Sequence, residues 1–180
     1  MGNEAMLIGL LGLKGSGKDT AAGILAGRGF FRMAFADELY AEAAAGFSVT
    51  PHFLARRDTK ETVLERLALR HCRDAQFVGL FTAEQARGGL TVEEVFGAPR
   101  SPRWVLQQWG TEYRRRAPFG HDGYWVEPLM RKIDAKPKAT RIVLTDVRAP
   151  IEVENIRARG GVLVRIRRRS VERQDAEAVA

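Results

Sequence analysis

The chain has 180 residues, 45% of them hydrophobic, and one cysteine, Cys72. That length predicts one globular unit with room for a small insertion. No 18-residue apolar run predicts a membrane span, and a lone cysteine excludes an internal disulfide and fits a reducing cytoplasm. The net charge of +7, from 23 Arg and 6 Lys against 22 acids, admits a polyanionic partner, namely nucleic acid, a membrane surface or a phosphorylated small molecule. The opening MGNEAMLIGL lacks the basic region and cleavage site of a secretion signal.

In chain order, Met6 to Gly12 reads as a buried strand, a short apolar run ended by glycine. Lys18 to Ala26 reads as a helix stopped by Gly27 and Gly29. Phe31 to Ala36 is a second strand, and Asp37 is expected to cap a helix reaching about Ala45. From Phe47 to about Pro102 the pattern is mostly helical and polar, with Leu64, Leu67 and His71 spaced to share one face. Ser101 to Arg116 is a further helix, Ser101 at its N-cap and Pro102 in its first turn. Another is expected from about Asp122 to Ile133. Arg141 to Thr145 is a strand ending at Asp146, Pro150 to Arg159 a helix closed by Gly160 and Gly161, and Val162 to Ile166 a last strand.

Strands alternating with helices at both ends imply an α/β fold with a parallel sheet. The core is expected over residues 1–46 and 138–180, and 47–137 reads as a mostly helical insertion over the carboxyl edge of the sheet.

The chemistry concentrates after the first strand. Gly12-Leu-Lys-Gly15-Ser16-Gly17-Lys18 fits G-x-x-x-x-G-K, the phosphate-binding loop. Glycines let successive backbone N–H groups turn inward onto phosphate oxygens, and the following helix adds its positive end. Lys18 would meet the β- and γ-phosphates as a point charge, and Thr20 would offer its hydroxyl to Mg²⁺. Extended to G-x4-G-K-x-T, the pattern is expected by chance roughly 0.003 times in a chain of this composition, and here it falls on a strand-to-helix junction. Asp19 stands where many such loops carry Ser or Thr, and the G-K-x-T spacing resembles nucleoside-monophosphate kinases rather than GTPases or motor ATPases.

An acid after an apolar strand, as Asp146 follows IVLT, is where a group holding Mg²⁺ directly or through water is expected, a helix cap being the alternative. Arg148 would point from the same edge. In SPRWVLQQWGTEYRRR, Gly110 lies mid-helix, where glycine costs about 1 kcal/mol relative to alanine. Either a tight helix crossing or a ligand must approach it. Leu106, Trp109 and Tyr113 form a stripe that is at least partly core, and Arg103, Arg114, Arg115 and Arg116 are candidate phosphate ligands. The three histidines show no metal-ligand spacing.

GLKGSGKDT, FADELY, SPRWVLQQWGTEYRRR, GYWV and TDVRAPIEVENIRARGGVLVRIRR, in that order, resemble the deoxynucleoside-monophosphate kinases of tailed bacteriophages and related bacterial proteins. The resemblance runs from about Met6 to Arg169. It implies a three-layer P-loop NTPase fold of the nucleoside-monophosphate-kinase kind, ATP with Mg²⁺, and a deoxynucleoside monophosphate as acceptor. Carried over by position, it places Gly12, Gly15, Ser16, Gly17, Lys18, Asp19 and Thr20 on the ATP phosphates. Asp37 would lie at the acceptor. Arg103, Gln107, Trp109, Gly110, Thr111 and Glu112 would frame the nucleoside, and Arg148 would touch the transferring phosphate. Glu38 stands where the family usually has proline. Family members continue past the last basic strand with a lid; here that role would fall to Arg165, Arg167, Arg168 or Arg169.

The expected activity is ATP-dependent phosphorylation of (deoxy)nucleoside 5′-monophosphates to diphosphates in a bacterial or phage-infected cytoplasm. Two rivals are a small P-loop kinase of another phosphorylated metabolite, such as dephospho-coenzyme A, and a basic nucleic-acid-binding NTPase. Against the latter, the basic residues after Trp125 lack interleaved aromatics for base stacking. A small nucleotide is the expected partner, not a membrane or nucleic acid, and a homodimer is left open.

Overall fold

A computed structural model describes residues 6–116 and 120–170, apart from the side chains at 85 and 86. The segment VERQDAEAVA after Ser170 lies outside the described residues. The chain divides into two compact units, one of residues 1–36 with 125–180 and one of residues 37–124.

The first unit is an all-parallel four-stranded sheet ordered β2-β3-β1-β4, with β1 Met6–Leu11, β2 Phe31–Met33, β3 Arg141–Leu144 and β4 Val162–Arg165. Its inner strands β1 and β3 read as apolar runs because both faces are covered, whereas Phe31 on β2 and Val162 and Val164 on β4 are exposed at the edges. On one face Ile8, Leu10 and Val143 pack with Ala22 of α1 (Lys18–Ala26). On the other, Ile142 and Leu144 pack with Val126, Leu129 and Met130 of α7 (Val126–Asp134) and Ile156 of α8 (Pro150–Ala158). Successive residues of β1 and β3 thus serve opposite layers, as the period of two requires, and the result is the expected three-layer α/β sandwich. A Cβ on Gly9 would lie 2.8 Å from Ile156 Cδ1 and 2.9 Å from Leu163 Cδ2. That glycine lets α8 and β4 close over the central strand.

The second unit carries most of α2 (Ala36–Gly46), then α3 (Pro51–Ala55), α4 (Ala75–Arg87), α5 (Val92–Gly97) and α6 (Pro102–Gln107). Gln108–Arg116 continues α6 as a π-helical segment. Its core is aromatic. Phe77 stacks on Trp109 with centroids 4.5 Å apart, and Phe47, Phe81, Trp104 and Tyr113 meet this pair edge-on or tilted. Such pairs each contribute about 0.5–1.5 kcal/mol beyond the area they bury.

Several elements depart from expectation. The second strand stops at Met33, and the helix after it starts at Ala36, so Asp37 sits inside the first turn instead of capping it. Leu64 to His71 is not one helical face. Two short 3₁₀ turns meet at Ala68, whose ψ of 149° breaks the helix. Leu67 is buried while His71 is exposed. Ser101 does cap α6, accepting from the Trp104 N–H at 3.1 Å, but the helix widens at Gln108, two residues before Gly110, the weakest helix former in the segment. The expected helix from Asp122 begins only at Val126. The units divide at 36/37 and 124/125, not at 46/47 and 137/138, because Val126, Leu129 and Met130 belong to the sheet core. Among the described residues no helix is long and apolar enough to cross a membrane.

Candidate functional site

The turn from β1 into α1 is built by three glycines with φ of 147° at Gly12, 83° at Gly15 and 101° at Gly17. Side-chain-bearing residues rarely adopt such values. A Cβ on Gly12 would also lie 2.4 Å from the Ile166 carbonyl oxygen and 2.7 Å from Ser16 Oγ. Open space faces Gly17. Ser16 is buried, and among the described residues its hydroxyl has no hydrogen-bond partner. A buried polar atom without a partner costs free energy unless something fills the place, and an oxygen-rich group in this cradle would meet that need.

Lys18 folds back over the loop. Its ammonium donates to the carbonyl oxygens of Gly12 at 2.5 Å and Leu13 at 2.8 Å. Its pKa lies below the ordinary lysine value, chiefly because burial penalises the charged form and secondly because of Arg148; Asp19 and Asp146 pull the other way. The end of β3 therefore shares the electrostatic environment of the loop, although Asp146 and Arg148 lie 128 and 130 residues after Lys18 in sequence.

Asp146 holds this edge in place. Its Oδ1 accepts the Phe35 N–H and its Oδ2 the Ala36 N–H, each at 2.8 Å. The cap role considered for Asp146 is thus real, but it serves the start of α2 and not the helix that follows Asp146. A carboxylate offers about four lone-pair positions, and these two amides take one on each oxygen. Among the described residues no group of three His, Cys, Asp or Glu side chains could cage a metal. Thr20 is exposed on the first turns of α1, and Asp19 pairs with Arg32 at 2.9 Å on the surface.

Arg148 is exposed on the turn between β3 and α8. Beneath it lies Glu152, 4% exposed, whose Oε2 accepts the N–H of Arg148 at 2.6 Å and of Ala149 at 2.9 Å. Sequence reasoning missed Glu152. Glutamate three residues after an N-cap is half of a capping box, but the N-cap here is Ala149, which hides the signature.

The residues expected to frame a nucleoside lie in the second unit, and they separate into two groups. Asp37, Arg103 and Gln107 are exposed and Thr111 and Glu112 half-buried. Arg103 pairs with Glu61, and Glu112 with Arg116 at 3.0 Å. Trp109 and Gly110 do not belong with them. Trp109 is 1% exposed within the aromatic core, and its ring lies where a Cβ on Gly46 would be, 2.3 Å from Cη2. Gly110 is buried, and a Cβ there would meet Leu39 Cδ2 at 3.0 Å. The close approach that Gly110 permits is therefore to α2, the crossing alternative.

Arg114, a candidate phosphate ligand from sequence, is committed elsewhere. It pairs with Glu42, lies 3.6 Å from Asp74 and stacks 4.0 Å over the Tyr113 ring. The Tyr113 hydroxyl lies 3.0 Å from both Asp74 oxygens, and burial followed by that bond pushes its pKa up to about 12. Burial and then Glu42 raise Tyr124 likewise. Nothing in the spacing of Glu42, Asp74 and Tyr124 announces this network.

No protein-family model matches the chain. The deoxynucleoside-5′-monophosphate kinase of Escherichia phage T5 is 31% identical over 186 aligned positions, covering 85% of this chain and 72% of the phage protein. A protein of Acanthamoeba polyphaga mimivirus, assigned as a deoxynucleotide monophosphate kinase, is 32% identical over 183 positions, covering 94% of this chain and 78% of the viral one.

Proposed function

This chain belongs to the deoxynucleoside-monophosphate kinase family, and we propose that it transfers the γ-phosphoryl group of ATP to a deoxynucleoside 5′-monophosphate. An oxygen of the acceptor phosphate attacks the γ-phosphorus, the bond to the β–γ bridging oxygen breaks, and ADP and a deoxynucleoside diphosphate leave. The acceptor is already ionised, so the reaction calls for positioning and charge neutralisation, not for a strong base or a covalent residue.

The observation that carries this reading is the loop itself, a glycine-built turn with Lys18 anchored on Gly12 and Leu13 and an unpartnered buried Ser16 hydroxyl inside it. The loop from Gly12 to Thr20 takes the donor phosphates. Lys18 neutralises charge on the transferred group, and Arg148 contacts that group from the β3 edge. Thr20 and Asp146 would hold Mg²⁺, which when bound neutralises phosphate charge. Asp37, Arg103, Gln107, Thr111 and Glu112 supply the acceptor contacts, and residues 37–124 form the monophosphate-binding unit.

The test is a coupled ADP-release assay with ATP and each ribo- and deoxynucleoside monophosphate. Turnover with at least one deoxynucleotide is expected, and none with any monophosphate would overturn the reading. Asp146→Asn, which keeps one of the two acceptor oxygens for the start of α2, is expected to shift the Mg²⁺ dependence of kcat while leaving nucleotide affinity nearly unchanged. An unaltered Mg²⁺ titration would leave Asp146 its capping role alone.

A further inference from the structure

We infer that Glu152 is a positioning residue for Arg148, setting the backbone from which that guanidinium reaches the transferring phosphoryl group. The inference rests on the role proposed above for Arg148. Glutamates stand at the third position of both α5 and α8 with capping geometry, and the contrast is informative. In α5, Glu94 receives the Thr91 N–H while Thr91 Oγ1 receives the Glu94 N–H, on an exposed surface. That box only ends a helix. At α8 the reciprocal partner is missing, since Ala149 has no side-chain oxygen, and the carboxylate is buried.

A buried carboxylate is costly unless hydrogen bonds satisfy it, and an Ala N-cap gives little in return. What the arrangement adds is the second bond. Glu152 Oε2 takes not only the Ala149 N–H expected of a capping box but also the Arg148 N–H, at the shorter distance of 2.6 Å. Two consecutive amides on one charged oxygen fix the peptide planes on both sides of the Arg148 Cα. On the chain just before it, Val147 is buried in the sheet core and Asp146 is tied to Phe35 and Ala36. Glu152 thus completes a clamp around an exposed arginine whose side chain makes no contribution to the core. Misplacing a group of this kind by about 1 Å can cost on the order of 10²-fold in rate.

The test is a double-mutant cycle on the full chain with ATP, Mg²⁺ and the best monophosphate. Glu152→Ala is expected to lower kcat at least about tenfold with both KM values within about twofold. Glu152→Gln, which keeps an acceptor oxygen, should return kcat to within about threefold of wild type. In an Arg148→Ala background, Glu152→Ala should cost less than about twofold further, since a residue acting through Arg148 has nothing left to position. If Glu152→Ala does not fold by circular dichroism, Glu152→Asp, which withdraws the carboxylate by one methylene, takes its place in the cycle. Losses that multiply in the double variant, or a folded Glu152→Ala with normal turnover, would overturn the inference. A wild-type chain that makes no diphosphate from any monophosphate would instead overturn the kinase reading.

Discussion

In the loop after β1, Gly12, Gly15 and Gly17 are required for their backbone, with φ of 147°, 83° and 101°. In the helical unit, Gly46 and Gly110 have no such φ, and they matter for the side chain they lack. The Trp109 ring occupies the Cβ position of Gly46, and Leu39 crowds that of Gly110. One kind of glycine exposes backbone N–H groups to a ligand; the other lets helices close on a core. On the page of the sequence the two kinds look alike. What separates them is the neighbour, a following Lys18 and strand end in one case and a large apolar side chain in the other.

The sharpest way to break this contrast is at Lys18. If the loop glycines exist to bring phosphate to the ammonium, Lys18→Ala should lower kcat by roughly 10²-fold or more while circular dichroism and melting temperature stay near wild type. Near-normal turnover in a folded variant would make the loop a mere turn.

Next come the glycines themselves. Gly12→Ala forces a side chain into a backbone that costs on the order of 1–3 kcal/mol and against the Ile166 carbonyl. Gly46→Ala drives a methyl group into a stacked indole within a packed cluster, and overpacking of that kind costs about 1–3 kcal/mol. Both should melt earlier. Only Gly12→Ala should also weaken ATP binding, measured by calorimetric titration. Equal loss of ATP affinity in the two variants would erase the distinction.

Gly110→Ala should do least. Leu39 presents the branched end of a flexible side chain at 3.0 and 3.3 Å, which can shift by tenths of an ångström. The helix gains up to about 1 kcal/mol from losing a glycine. The two effects offset, so urea denaturation should place the variant within about 1 kcal/mol of wild type, with the monophosphate KM unchanged to within about twofold. A large rise in that KM would put a nucleoside, not Leu39, against this glycine.

The loop was legible because its chemistry is local. Spacing, glycine content and the strand-to-helix junction all lie within fifteen residues, and α1 follows at the expected Lys18. The parallel sheet was legible from its apolar runs. What escaped depends on residues far apart in sequence. The carboxylate of Asp146 reaches across 110 residues to Ala36, so an expected strand end is also the cap of a remote helix. Trp109 was read as a nucleoside contact because its stretch carries the family resemblance, yet Phe47, Phe77 and Gly46 enclose it. Arg114 reads from the sequence as one of four candidate phosphate ligands, with Arg103, Arg115 and Arg116, but its partners Glu42 in α2 and Asp74 just before α4 lie 72 and 40 residues upstream with no pattern linking them.

The last prediction sharpens the claim that this stretch is core and not ligand-facing. Tyr113 donates its hydroxyl proton toward Asp74, with Gln76 Oε1 3.2 Å away, and its pKa of about 12 exceeds the ordinary value of 10. Between those values the folded chain keeps a proton that the unfolded chain has lost. Stability from this group is therefore fully present below about pH 10 and falls as pH rises toward 12. Tyr113→Phe removes one hydrogen bond, worth about 1 kcal/mol near neutral pH. Asp74 keeps the Phe77 N–H at 2.9 Å and the Arg114 guanidinium, so the loss should not grow further. Every other group is common to the two proteins, so its contribution cancels in the difference between them. Urea midpoints at about pH 8 and pH 11 should then converge, the variant being weaker at the lower pH and nearly equal to wild type at the higher. Its kcat and both KM values should stay within about twofold of wild type throughout. A constant gap in stability would mean that the Tyr113 proton is not held by the fold, and a changed monophosphate KM would return this segment to the substrate.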